Sequence, residues 1–290
     1  MNYYTFKSKV CNNIKHYLPE SYSSATVKVT TVRKLNEAYD GLQVILSDTD
    51  LLPVINLNHA YDFCLGNGFN KTMDCIAKEI LCAIPDSLRI PIENYESGIK
   101  EKLFIRMSNA LDNQEFLKGV PHKIVNDLAI TYHILLDTEG DEYKTTTITN
   151  DLLDTFGVSQ DVLHNDAVRN SQRIFPVLIE PLVSILNQSG FPIHTDTDAI
   201  VVSNSCLFNG ASAIMYPGVI ENIAQKLGDR FFMFPSSIHE VICMKYDDRF
   251  TSDYLNDLVC DINERTLKKE EVLSNHIYQY SIRQNELVSV

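Results

Sequence analysis

The stretch Leu128-Ala129-Ile130-Thr131-Tyr132-His133-Ile134-Leu135-Leu136 sets Leu128, Ile130, Tyr132, Ile134 and Leu136 at alternate positions. That two-residue period marks a strand with one strongly apolar face and a second face of Ala129, Thr131, His133 and Leu135. The acidic run Asp137-Thr138-Glu139-Gly140-Asp141-Glu142 then turns the chain, so Thr145 to Ile148 can return antiparallel. Next, Asn150 can start a helix that Gly157 ends, and Ser159 can cap another carrying Val162, Leu163, Ala167 and Val168. A hairpin followed by two short capped helices is not a parallel crossover unit, so the fold begins as antiparallel sheet with helices added.

Outward from this stretch the mixture persists. Tyr3, Phe6, Val10, Ile14 and Leu18 predict an amphipathic opening helix that Pro19 cannot continue. Ala25 to Val32, Gly41 to Leu46 and Pro53 to Leu57 read as strands of a small antiparallel sheet. Asn58 can cap a helix stopped by Gly66, and Asn70 a second, with Met73, Ile76, Ala77, Ile80 and Ile84 as its stripe before Pro85. Asn187 to Asp198 is the plausible internal break or surface loop. Further on, Ile200 to Val202 and Cys206 to Phe208 are β-prone, and Asn209-Gly210 predicts a hairpin turn. Pro217 suits the start of a helix running to Gly228, Phe231 to Phe234 and Val241 to Met244 read as strands, and Tyr254, Leu255, Leu258, Val259 and Ile262 form a helical stripe. A terminal hairpin carries Tyr278, Tyr280 and Ile282 on one face. Without regular βαβ alternation or a fixed repeat, the fold class is α+β, mixed helices and mainly antiparallel sheet.

Composition narrows the function. A formal charge of −13 from 25 basic and 38 acidic residues repels phosphate backbones and anionic lipid, so no nucleic acid and no membrane partner is expected. The polar residues Lys7, Lys9, Asn12, Asn13 and Lys15 interrupt any secretory signal, and no apolar run reaches the ~18 residues a membrane span needs. Seven scattered cysteines without a C-x-x-C pair fit free thiols in the cytoplasm rather than disulfides or zinc. The sequence has neither a phosphate-binding glycine loop nor a zincin pattern after His239-Glu240, so neither a cofactor nor a metal is expected.

The densest group of reactive side chains is Ser236, Ser237, His239 and Glu240, in a segment where Pro235 ends the apolar strand Phe231 to Phe234 by withholding a ladder donor. The segment reads as a structured turn at the edge of a groove, with Ile238 anchored in the core and the polar neighbours facing out. Acyl transfer would need a nucleophile beside a base, yet Ser237 and His239 on one strand face stand ~6.5 Å apart and Glu240 faces the other way. His122 and Asn209 are further binding candidates that only tertiary folding can bring to the turn.

Ile148-Thr149-Asn150, Phe156-Gly157-Val158-Ser159, Leu163-His164, Ala167 to Asn170, Asn209-Gly210-Ala211, Tyr216-Pro217-Gly218 and Pro235 to Glu240 resemble the bacterial domain-of-unknown-function family 5688, with Val120-Pro121-His122 and Asp127-Leu128 part of the same likeness. The segment from Asn150 to Asn170 is more distantly similar to the YtpQ-like proteins, which carry an Arg-Asp pair where this chain has His239-Glu240. The resemblance implies a bacterial cytosolic protein with one family-wide fold over residues 1–290, with lobes of about 1–118 and 119–290 as the alternative division. It implies no activity. The leading expectation is therefore a noncatalytic protein that binds a protein or small-molecule partner through an exposed apolar patch; Tyr278 and Tyr280 either pack in the core, the favoured reading, or contribute to that patch. The alternative is a hydrolase or transferase using Ser237 and His239.

Overall fold

The computed structural model describes residues 1–45, 54–81, 95–140, 142–188, 198–283 and 286–290. The chain divides into two units, Met1–Ile90 and Pro91–Val290. In the first, Asn2 caps α1 (Tyr3–Asn13) by accepting the Thr5 backbone N–H, and Phe6, Val10 and then Ile14 turn inward. β1 (Thr26–Lys34) and β2 (Glu37–Ile45) form a hairpin through Asn36, which adopts φ +61°, and β3 (Ile55–Asn56) extends the sheet. The cap of α2 (Leu57–Asn67) is Asn56 rather than Asn58, because Asn56 is the residue with extended backbone and a free oxygen for the first helical amides. α2 runs past Gly66 to Gly68, whose φ of +84° ends it. The Gly68 carbonyl also accepts from Thr72 at the start of α3 (Phe69–Leu81), so no Asn70 cap is used. Met73, Ile76, Ala77 and Ile80 of α3 are buried as one stripe. Ile84, Pro85 and Cys82 lie outside the described residues.

The second unit is built on β4 (Leu103–Asn109), the short helix α4 (Gln114–Leu117), β5 (His122–Val125), β6 (Leu128–Glu139) and β7 (Glu142–Thr147). β4 pairs along one edge of β6 while β5 and β7 share the other, all antiparallel. α5 (Asn150–Phe156) starts at Asn150 and ends at Gly157, φ +64°, and α6 (Gln160–Ile174) is capped by Ser159, as the sequence reads, while the cap of α5 is Thr149. α6 covers one face of the sheet: the buried Ser171 hydroxyl accepts the Ile105 N–H at 2.9 Å.

A second sheet follows, made of β8 (Val177–Pro181), β9 (Ala199–Asn204), β10 (Arg230–Phe234), β11 (Val241–Lys245), β12 (Tyr278–Ser281) and β13 (Glu286–Ser289) in the order β13-β12-β10-β11-β9-β8. α7 (Leu182–Gln188), α8 (Val219–Leu227) and α9 (Ser252–Thr266) are its helices. Every strand pair among the described residues is antiparallel, and the fold is α+β. No described helix is long and apolar enough to cross a membrane. Most of the suggested break, residues 189–197, lies outside the described residues.

Two further expectations fail here. Cys206 to Phe208 is no strand: the Asn204 side chain accepts the Cys206 and Phe208 N–H groups and bends the chain through Leu207 at φ +51°. Asn209-Gly210 makes no hairpin, because Asn209, at φ +50°, instead begins a 3-10 helix over Gly210–Met215. Of the two readings open for Tyr278 and Tyr280, core packing is the one found: they are 0% and 2% exposed, on β12 between β10 and β13.

From Leu128 to Ile134, β6 is buried on both faces, which leaves His133 only 1% exposed. Its two ring nitrogens meet the Thr131 hydroxyl at 2.9 Å and the Thr147 hydroxyl at 3.3 Å. Burial, reinforced by the nearby Arg106 charge, holds its pKa well below the ordinary histidine value. The folded protein therefore keeps this ring neutral while the unfolded chain takes up a proton below about pH 6.5, so stability falls as pH drops through that value. His164, half-buried beside Lys123, shifts in the same direction. Urea midpoints measured between pH 7.5 and 5.5 should decline, and His133→Gln should flatten that decline while leaving the His164 share.

Candidate functional site

Pro235 ends β10, and the next residues fold into a turn that satisfies its own backbone. The Ser236 N–H donates to the Phe234 carbonyl at 2.9 Å and the Ser237 N–H to the Glu240 carbonyl at 3.1 Å. The Ser237 hydroxyl accepts the His239 backbone N–H at 3.0 Å, while the Ser236 hydroxyl donates to the Glu240 carboxylate at 3.2 Å. Ser237 is 7% exposed and Ile238 only half-buried, the reverse of the order read from hydrophobicity. The cause is hydrogen bonding: a serine whose oxygen completes a turn can be buried without an orphaned group.

His239 turns its ring away from Ser237. Its Nδ1 lies 3.1 Å from the Leu207 carbonyl oxygen, which can only accept, so that nitrogen carries the proton. Its own carbonyl accepts from the Ser203 hydroxyl at 2.8 Å. Asn209 stands on the same side, followed by Gly210, where a Cβ would come within 2.5 Å of the His239 carbonyl oxygen and 2.7 Å of the Asn204 nitrogen. Glycine is required here by contact. His122 is elsewhere, at the start of β5 with Nδ1 2.9 Å from the Val120 carbonyl. Five of the six candidates thus gather around the turn, and His122 joins the first sheet of the unit.

Beside this turn runs an open apolar groove of about 320 Å³. Phe234, Pro235 and Ser236 form one end, Ile242 and Met244 of β11 the floor, and α9 the wall. On α9, Leu255 and Val259 point into the core at 2% and 5% exposure, while Tyr254, Leu258 and Ile262 stay exposed along the rim. The helix carries a wider apolar stripe than the sheet covers. Phe250 stacks on Tyr254 with centroids 6.2 Å apart. The groove is lined almost wholly by carbon, and its Asn263 side chain already donates to the Ser274 carbonyl and to Asn275. Such a surface suits an apolar group. Among the described residues no three His, Cys, Asp or Glu side chains gather as a metal site.

Two polar centres escaped the sequence reading. Asp127, after Asn126 at φ +57°, accepts from the hydroxyls of Tyr278 at 2.5 Å and Ser274 at 2.7 Å, with His276 Nδ1 at 3.3 Å. Burial alone would push its carboxyl up, but the three donors outweigh burial and hold it below the ordinary value. The second is Arg106, within Leu103-Phe104-Ile105-Arg106-Met107-Ser108-Asn109. An arginine amid Leu103, Phe104, Ile105 and Met107 was the available signal.

No curated protein and no solved structure matches the chain. The model of a family of unknown function, DUF5688, matches residues 3–282, and the chain belongs to that family.

The turn's hydrogen bonding sets its sensitivity to substitution. Ser237→Ala leaves the His239 N–H without its acceptor and should cost about 1–3 kcal/mol. Gly210→Ala should cost a similar ~1–3 kcal/mol through overpacking, whereas Ser236→Ala should stay within ~0.5 kcal/mol. Chemical denaturation of the three variants checks this order.

Proposed function

We propose that this DUF5688 member is a noncatalytic cytoplasmic binding protein whose groove receives the apolar face of a basic amphipathic helix from a partner protein. The observation that carries this reading is the unpaired stripe on α9. Tyr254, Leu258 and Ile262 recur every four residues and span ~12 Å of helix, the footprint of about two turns of a docked helix. An exposed apolar surface continuous with a groove is what a binding role requires.

Charge sets the character of the partner. Asp253, Asp257, Asp261 and Glu264 are exposed along α9 around the stripe, and the one basic residue among them, Arg265, is paired with Asp261 at 2.7 Å. An apolar seam edged by carboxylates favours a helix that flanks its own apolar face with lysine or arginine. Cytoplasmic placement is supported by the six described cysteines, all free thiols. The acyl-transfer alternative would need the His239 ring on the Ser237 hydroxyl, and the ring instead meets Leu207.

A labelled leucine/lysine amphipathic peptide titrated by fluorescence anisotropy tests the reading. Saturable one-to-one binding is expected, weakened about tenfold or more by Leu258→Glu. The variant adds negative charge, so nonspecific attraction would strengthen instead; unchanged or tighter binding to Leu258→Glu overturns the groove as the site.

A further inference from the structure

Among the described residues, two buried polar side-chain atoms lack a hydrogen-bond partner: Arg106 Nε and Ser108 Oγ. Both belong to β4, two positions apart, so they face the same side of the sheet. The cross-strand register puts further polar groups on that side. Arg106 pairs with Thr131, which pairs in turn with His122, and Phe104 pairs with His133, which pairs with Thr147. The opposite face, with Ile105 and Tyr132, is the one α6 covers.

The Arg106 guanidinium lies over two rings, 5.4 Å from the Phe104 centroid and 4.8 Å from that of Phe208. Phe208 is backed by Tyr143 at 4.8 Å and Phe175 at 5.7 Å. One hydrogen bond holds the fork, from Nη2 to the Thr145 hydroxyl at 2.8 Å. No carboxylate of a described residue pairs with it. Carboxylates are not scarce in a chain with 38 acidic and 25 basic residues, and Lys7, Lys100, Arg173, Arg249 and Arg265 all have acidic partners nearer the surface. The most desolvated of these cations is the one left without an anion, and desolvation pulls its pKa down to about 10.

Ring contacts do not answer this vacancy of charge, because cation–π attraction acts on the guanidinium faces while the N–H edge needs an acceptor. An arginine beside aromatic rings with an N–H unsatisfied and no carboxylate partner suits a planar or tetrahedral oxyanion. His133 cannot supply the acceptor, since both of its ring nitrogens are engaged by threonines. Nε itself is sealed from solvent, but Arg106 as a whole is only half-buried, so the side chain is reached from solvent elsewhere than at Nε. We propose that Arg106, between Phe104 and Phe208, is the recognition element of a binding site for a small ligand bearing a carboxylate or phosphate group. The site is independent of the α9 groove. Three of the candidates read from sequence are linked to it: His122 lies beyond Thr131 in the same cross-strand row, His239 Nδ1 meets the Leu207 carbonyl in the loop that carries Phe208, and Asn209 ends that loop.

The test titrates acetate and inorganic phosphate separately into the full chain at constant ionic strength, with melting temperature and calorimetry as readouts. A saturable rise in melting temperature with one anion supports the site and identifies the ligand's acidic group; a rise with both supports recognition of either. Arg106→Met should fold, because an apolar side chain of similar length replaces a half-buried cation that has no anionic partner among the described residues, and it should lose the response. Arg106→Lys keeps the charge without the fork and should bind about tenfold more weakly or worse. If neither anion shifts wild type, or if Arg106→Met responds as wild type does, the proposal is wrong. Should Arg106→Met fail to fold, the arginine Nε–H resonances of wild type followed by NMR decide instead: a buried Nε–H signal that moves saturably supports the site, and one that stays fixed overturns it.

Discussion

The second unit depends on the burial of both faces of one strand. β6 is hydrogen-bonded along both edges, to β4 on one side and to β5 and β7 on the other. α6 covers one face, and that face is apolar as a sheet-on-helix contact must be. The other face carries Thr131 and His133, which are also excluded from water. A buried polar group must find a partner or leave an energetic penalty uncompensated. The threonines of β6 and β7 meet that requirement for His133, and the same face holds Arg106 without an equivalent answer. The polar chemistry of this unit is thus concentrated where the sheet topology forces it inside.

The second sheet solves a different problem. Its strand β10 ends at Pro235, and the turn that follows returns the chain to β11 within six residues. The missing Cβ of Gly210 allows the 3-10 helix to approach that turn, while the Ala211 N–H donates to the Ile238 carbonyl at 3.2 Å. Through this contact the turn, the loop carrying Phe208 and the edge of β9 are held together. The groove beside α9 has a separate origin: a helix whose apolar arc exceeds what the sheet beneath it covers.

Legibility in the sequence followed the range of the interaction. The β6–β7 hairpin, the two capped helices after it, the α3 stripe and the strands β10 and β11 rest on local periodicity and capping, and all are present. The errors fall where one local signal has two uses. Asn-Gly favours positive φ, which serves a hairpin turn or the start of a 3-10 helix equally, and the neighbouring backbone decided for the latter. Ile238 and Ser237 exchanged roles for a related reason, since hydrophobicity ranks burial while turn hydrogen bonds determine which side chain must point inward.

The sequence by itself determined the α+β class, the antiparallel hairpins, the acidic charge and the polar turn after Pro235, because each depends on residues adjacent along the chain or on composition alone. Tertiary structure decided which of the polar residues belong together. Arg106 and His122 are brought into one row only by the register of β4 and β5 on β6, and Asp127 meets Tyr278 across 151 positions of sequence. Such pairings follow from strand register and packing between distant elements, and a pattern of neighbours along the chain carries no record of either.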